Sequence, residues 1–384
     1  MDALLESVTA EVQKVVGTAD EALRQRTMNK LRDLQYSLET PEHTMQRLIY
    51  TGLTTASIRV SLDLKIFNQL AESDRSLTIN ELSESADTDP ILLGRLLRHQ
   101  ASLGIIRQTA QDEFTHSQTT KNLSIPDIQS GIFFCNDVLD PAYHAMPTFL
   151  AERKYRNPNE LLDTPFNTAW STKMPLWDWL SEHPEHRSHF DRFMVAQRSS
   201  VKNCFSFLSL DKECENWPAE RPVFVDVGGG TGQQCIALKE KFPELPGTVI
   251  LQDLPTVVAG VELPEGIKVH AYDFFTPQPV KGAKYYYLRA IMHDHADDKC
   301  LEILKNIVDA MTDESTLLLD EIVVPDQDVD WFVTQTDLAM MVQFSSMERT
   351  EEQWRRLLSE AGLKVREIIT YTHSFRLSII VATK

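Results

Sequence analysis

The run Tyr285-Tyr-Tyr-Leu-Arg289-Ala-Ile-Met-His293-Asp294-His295 delivers two histidines just past an apolar segment, with aspartates at 294, 297 and 298 around them. An imidazole with an ordinary pKa of about 6.5 exchanges protons near neutrality, which makes a histidine just past a strand end notable. The same His/Asp grouping has the composition of a metal site. Against that, Asp297 and Asp298 read as the first turn of a helix over Lys299 to Met311, where acids complement the helix dipole. No bound metal is expected.

A second constellation lies upstream. Val223-Phe-Val-Asp226-Val-Gly228-Gly-Gly230-Thr-Gly232 is an apolar strand that ends in an acid and alternating glycines, a pattern that lets backbone turn sharply and approach a ligand closely. The helix expected from Gln233 to Phe242 points its first amides at that ligand. The dinucleotide fingerprint G-x-G-x-x-G would need glycine at 233, where this chain has Gln. Two further apolar runs end in acids. Asp253, which is 25 residues beyond Gly228, suits the ribose hydroxyls of a nucleoside. Asp273 is placed to accept from an adenine amino group, with Phe274 and Phe275 to cover the ring.

These residues need a scaffold, and the pattern after Arg221 supplies one. Strands near 223–227, 248–252, 267–272, 283–289 and 315–323 alternate with helical segments, the signature of a doubly wound parallel sheet whose ligand crevice lies at the strands' carboxyl ends. Lys364 to Thr370 and Arg376 to Thr383 are joined too closely for anything but an antiparallel pair, so one reversed strand should close the sheet.

Upstream of Arg221 the chain reads as helical from Leu4 to about Leu38 and from His43 to Leu70. Thr78 and Glu81 form a capping box. Asp89-Pro90 starts a helix running to Gly104. A hairpin over Ile105 to Thr109 and Glu113 to Ser117 completes a winged-helix pattern. The boundaries expected are 1–120 for this helical winged-helix unit, 121–210 for a helical connecting region rich in aromatics and methionine, and 211–384 for the sheet. Trp170 and Met194, in the connecting region, are the candidates for a substrate wall.

Composition narrows the partners. With 384 residues, 42% hydrophobic and 24% charged, the chain is long enough for two or three packed units. A net charge of −18 opposes a basic groove, so no nucleic acid partner is expected despite the winged helix, whose candidate recognition helix offers only Arg95, Arg98 and His99. Cysteines 135, 204, 214, 235 and 300 are odd in number and lack C-x-x-C spacing, which argues for reduced thiols. No apolar run of about 18 residues occurs and the first residues lack a basic n-region, so the expectation is a cytoplasmic chain with no membrane partner. Helices without a strand to cover must bury their apolar face elsewhere, which points to a homodimer through the N-terminal helices.

The pattern Asp226-x-Gly228-x-Gly230-x-Gly232 resembles motif I of the class I S-adenosylmethionine (SAM) methyltransferases. Nearly the whole chain resembles the plant and fungal small-molecule O-methyltransferases of the caffeic-acid type, whose motif L-R-x-I-x-H-D-x-x-D-[DE]-x-C-x-x-I-L is matched by Leu288 through Leu304. The resemblance implies a Rossmann-like α/β catalytic domain after a winged-helix dimerisation domain. It implies SAM held by Asp226, Gly228, Gly230, Asp253, Leu254, Asp273, Phe274 and Arg289, and His293 as base, oriented by Glu321 and Glu348. Asp294, Met340, Gln343 and Phe344 join Trp170 and Met194 at the substrate, a hydroxyl-bearing aromatic or polyketide-derived secondary metabolite. A neutral imidazole near pH 7 would serve a phenol of pKa about 10. Some enzymes of this resemblance bind SAM yet catalyse dehydration or pericyclic rearrangement; the intact His293 and its two acids favour methyl transfer. Many relatives carry Trp where this chain has His295, so the cover over the cofactor is smaller and polar.

Overall fold

The computed structural model describes residues 2–18, 20–198 and 204–384. The chain forms two compact units. One takes in the chain up to Gln25, Thr148–Pro165 and the C-terminal stretch to Lys384. The other takes in Arg26–Pro147 and continues from Phe166 to the end of the helix Pro184–Arg198.

In the second unit the local signals act as the sequence suggests. The Thr78 hydroxyl accepts from the Glu81 amide while Glu81 returns to Thr78, starting the helix Ile79–Ser85. Asp89 caps Pro90–Ser102 through the Leu92 amide at 2.8 Å. That helix stops two residues short of Gly104, which takes φ +73° to turn the chain out. Strands β1 (Leu77–Thr78), β2 (Ile106–Ala110) and β3 (Glu113–His116) form an antiparallel wing in the order β1-β3-β2. β1 is too short for alternating polarity to reveal it. Leu82, Leu93, Leu97 and Phe114 are fully buried between helices and wing.

The first unit is built on strands β4 (Pro222–Val227), β5 (Thr248–Asp253), β6 (Ile267–Ala271), β7 (Tyr285–Arg289), β8 (Thr316–Val324), β9 (Arg349–Thr350), β10 (Lys364–Thr370) and β11 (Leu377–Thr383). The sheet order is β10-β11-β8-β7-β4-β5-β6, and β9 pairs in parallel with β8 beside it. Only β11 runs against its neighbours, as the short connection from β10 requires. Central strands are covered on both faces, so Val225, Tyr286, Leu288, Leu317 and Leu319 pack on one side and Phe224, Tyr285, Tyr287 and Leu318 on the other. The carboxyl ends of β4, β5, β7 and β8 thereby lie side by side, and each carries one of the residues with chemical potential.

Candidate active site

β4 ends in Asp226 and breaks into the glycine turn. Gly228 has φ +72°, and a Cβ there would meet Ile291 Cδ1 at 2.6 Å. At Gly229 a Cβ would come within 2.5 Å of the Asp226 carboxyl group. The turn is held by β5: the Gly228 and Gly229 amides donate to the Gln252 carbonyl at 2.8 and 3.1 Å. Asp253, one residue on, accepts from the Gly230 amide at 2.8 Å and from the Leu254 amide at 2.7 Å. It therefore fixes the loop as well as presenting a carboxylate at the strand end.

Asp226 lies beneath this turn, 1% exposed, with the Cys235 thiol donating to it at 3.6 Å. Burial pushes its carboxyl group up to about 7. Arg289, at the end of β7, reaches Asp320 at 3.3 Å, while Tyr287 and Tyr371 donate to the same carboxylate at 2.6 and 2.7 Å. The atom that faces Asp320 is Arg289 Nε, which is buried and makes an ion pair there without hydrogen-bond geometry. Beyond β6, Asp273 is exposed and accepts from the Phe275 amide at 3.0 Å. Phe274 and Phe275 stand edge-on to the His295 ring, at 5.7 and 5.4 Å between centroids. Burial, with His293, Arg349 and Lys299 nearby, pushes His295 down to about 4, so it is a neutral ring in an aromatic wall. A glycine turn without room for side chains, a strand-end carboxylate and an aromatic cover fit an adenine nucleoside.

The second half of the site hangs on the turn after β7. Ala290 adopts φ +49°, a left-handed conformation that a residue with a Cβ keeps only when its surroundings impose it. Glu321, on β8, imposes it from one side by accepting the Ile291 and Met292 amides at 3.0 and 2.9 Å on Oε1. His293 projects from the short helical turn Met292–Asp294, its Nδ1 donating to Glu348 Oε1 at 2.7 Å and its Nε2 lying 3.5 Å from Asp294. The Glu348 amide in turn donates to Asp337 at 2.9 Å, from the helix Trp331–Phe344.

The electrostatics correct one expectation. Burial works against an imidazolium, but Glu348, Asp294 and Glu321 overcome it and push His293 up to about 10. The ring is thus charged at neutral pH in the free protein, not neutral. Glu321, pushed up to about 7 by burial and by Glu348 against the pull of His293, shares in that balance. The two glutamates act on the base in different ways: Glu321 grips the backbone under it, and Glu348 hydrogen-bonds the ring. Glu321 Oε2 and Glu348 Oε2 are buried without partners. His293, Glu321 and Glu348 each present an atom within 4.8 Å of the others, close enough for a proton-sharing triad or a divalent cation.

Of the residues singled out in the sequence, His293, Asp294, Glu321 and Glu348 come together in this turn. Met340 is half-buried and Gln343 and Phe344 are nearly buried, in the last turns of the helix that supports Glu348. Trp170 and Met194 belong to the other compact unit, where the Trp170 indole donates to the Val138 carbonyl at 3.0 Å and packs 4.9 Å from Trp179. Sequence reasoning missed Asp320, Asp337 and Arg349. Each is a charged residue in a stretch whose exposure a single sequence leaves open, and Arg349 is 1% exposed.

Comparison with known proteins identifies the family. An O-methyltransferase domain model matches residues 155–364 and an O-methyltransferase dimerisation domain model matches residues 46–123. The demethylsterigmatocystin 6-O-methyltransferase of Aspergillus flavus is 34% identical over 382 residues, 99% of this chain and 98% of that protein. The solved structure of LepI in complex with SAM superposes with a TM-score of 0.91 at 36% identity, over 100% of this chain and 99% of that one. A structure described as a pericyclic reaction enzyme gives 0.91 and 36% as well, over the whole of both chains.

Proposed function

The chain belongs to the O-methyltransferase family, and on that premise we propose that it methylates a hydroxyl of an aromatic or polyketide-derived small molecule, with SAM as donor, His293 as general base and no metal. The observation that carries the reading is the 2.7 Å hydrogen bond from His293 Nδ1 to Glu348, which leaves Nε2 as the atom that meets the acceptor hydroxyl.

SAM supplies an electrophilic methyl on a sulfonium. Asp253 and the glycine turn would hold its nucleoside, Phe274 would cover the adenine, and Arg289, paired with Asp320 at the end of β7, would lie beside it. In its neutral form His293 aligns the hydroxyl and takes its proton on Nε2, while the Glu348 carboxylate stabilises the resulting imidazolium. The raised basicity of the ring matches it to a phenolic proton of pKa about 10. The dimerisation domain supports a homodimer through the N-terminal helices, which expose Leu34, Leu38, Leu48, Ile49 and Leu53. Among the described residues no helix is long and apolar enough to cross a membrane, which supports a cytoplasmic enzyme.

A second reading has an observation of its own. A ring charged at neutral pH can act as an acid or a fixed cation in a rearrangement without consuming SAM, and one structure of high similarity is described as a pericyclic reaction enzyme. Incubation with SAM and a panel of phenols separates the two. S-adenosylhomocysteine formed in step with product supports methyl transfer; product formed with SAM intact supports the second reading.

A further inference from the structure

Glu348 and Arg349 are consecutive, and both act on the turn that carries His293. Glu348 takes the ring. Arg349 takes the backbone: Nη1 donates to the Met292 carbonyl at 3.0 Å and Nη2 to the His295 carbonyl at 2.8 Å. The carbonyls on either side of the His293–Asp294 pair are thus held by one guanidinium. Its far side is anchored by Asp297, which accepts from Nε at 2.9 Å and Nη2 at 2.8 Å. Ser346 adds a hydroxyl to the His295 carbonyl at 2.8 Å.

A guanidinium this deeply buried is costly, and well-packed apolar residues often serve stability as well as a buried ion pair does. Its value lies in geometry. The rigid fork sets two carbonyls at a fixed separation, which a single ammonium cannot do. Glu321 grips the same turn by its amides, so both the donors and the acceptors of its backbone are held, next to the left-handed Ala290 that precedes it.

We propose that Arg349, anchored by Asp297, is a positioning residue that fixes the Met292–His295 turn so that the His293 ring stays against Glu348 and its Nε2 faces the acceptor. The inference rests on His293 being the base, so His293→Ala is assayed in parallel. Arg349→Lys keeps the charge and removes the fork; it should lower kcat about 10- to 100-fold, the scale of a small misplacement of a catalytic group. SAM affinity by calorimetry should fall less than kcat does, because the one contact of Arg349 with the cofactor's aromatic cover is to the His295 backbone carbonyl and not to a ring. The His293 imidazole, followed by NMR without cofactor, should titrate at least about one pH unit lower as it leaves Glu348.

Asp297→Asn, at a half-exposed helix start, should give a smaller change of the same kind in a folded protein, and it decides the matter should Arg349→Lys fail to fold. Unchanged kcat in the folded variants, or a fall in kcat with the His293 titration unmoved, overturns the inference. Turnover retained by His293→Ala overturns the base assignment instead.

Discussion

Glu348 accepts a 2.7 Å hydrogen bond from His293 Nδ1 with its own side chain fully buried, so the two residues form one ionic unit and not a base with a distant helper. The ring gains basicity and loses rotational freedom together. Nδ1 is committed, and Nε2 is the only nitrogen left for chemistry.

Removing the two halves of the site should give opposite kinetic signatures. His293→Ala should lower single-turnover methyl transfer on the order of 10²–10⁴-fold while SAM affinity hardly changes. Asp253→Ala should weaken SAM by about 1.5–3 kcal/mol, through the lost ribose contact and the freed Gly230 amide. Calorimetry beside single-turnover rates at saturating SAM checks both.

The pH profile follows from the direction of the His293 shift. Its pKa is raised from the ordinary 6.5 to about 10, so the imidazolium's contribution to stability is full below about pH 6.5 and is lost as pH rises through about 10. Catalysis runs the other way, since only the neutral ring accepts a proton. In the free enzyme kcat/KM should climb roughly tenfold per unit between about pH 7 and 9. Glu348→Gln, which removes the main source of the shift, should move the rise toward neutrality. A profile already level at pH 7 in the unaltered enzyme would contradict the coupling.

Metal removal should be silent. His293, Glu321 and Glu348 are spaced to admit a cation, yet in the proposed mechanism they handle a proton. Dialysis against a chelator should leave turnover within experimental error. Loss of activity restored by Mg²⁺ would replace the proton-transfer scheme with a Lewis-acid one.

The N-terminal helices should hold a dimer. Leu34, Leu38, Leu48 and Ile49 are from 57% to 77% exposed, far more apolar surface than an isolated unit would leave in water. Light scattering should give a particle near twice 43.8 kDa at micromolar concentration. A stable monomer there would refute the assignment of this face.

The sequence alone determined the elements whose causes are local. Thr78 with Glu81 and Asp89 with Pro90 start helices through contacts three residues long, and alternating strand and helix periods reveal a parallel sheet because each strand must be apolar on both faces. The strand-end acids and the L-R-x-I-x-H-D run could be placed for the same reason: a doubly wound sheet gathers its carboxyl ends on one edge. Tertiary structure decided what each charge does there. Glu321 and Glu348 look alike in sequence, but β8 brings one under the turn's amides and the loop before β9 brings the other to the ring. The basicity of His293 depends on those distances, because in a buried site a carboxylate a few ångströms away outweighs the intrinsic chemistry of the imidazole. Arg349 was invisible for the same reason. Its partners are carbonyls more than fifty residues earlier in the chain, and backbone carbonyls leave no mark in a sequence of side chains.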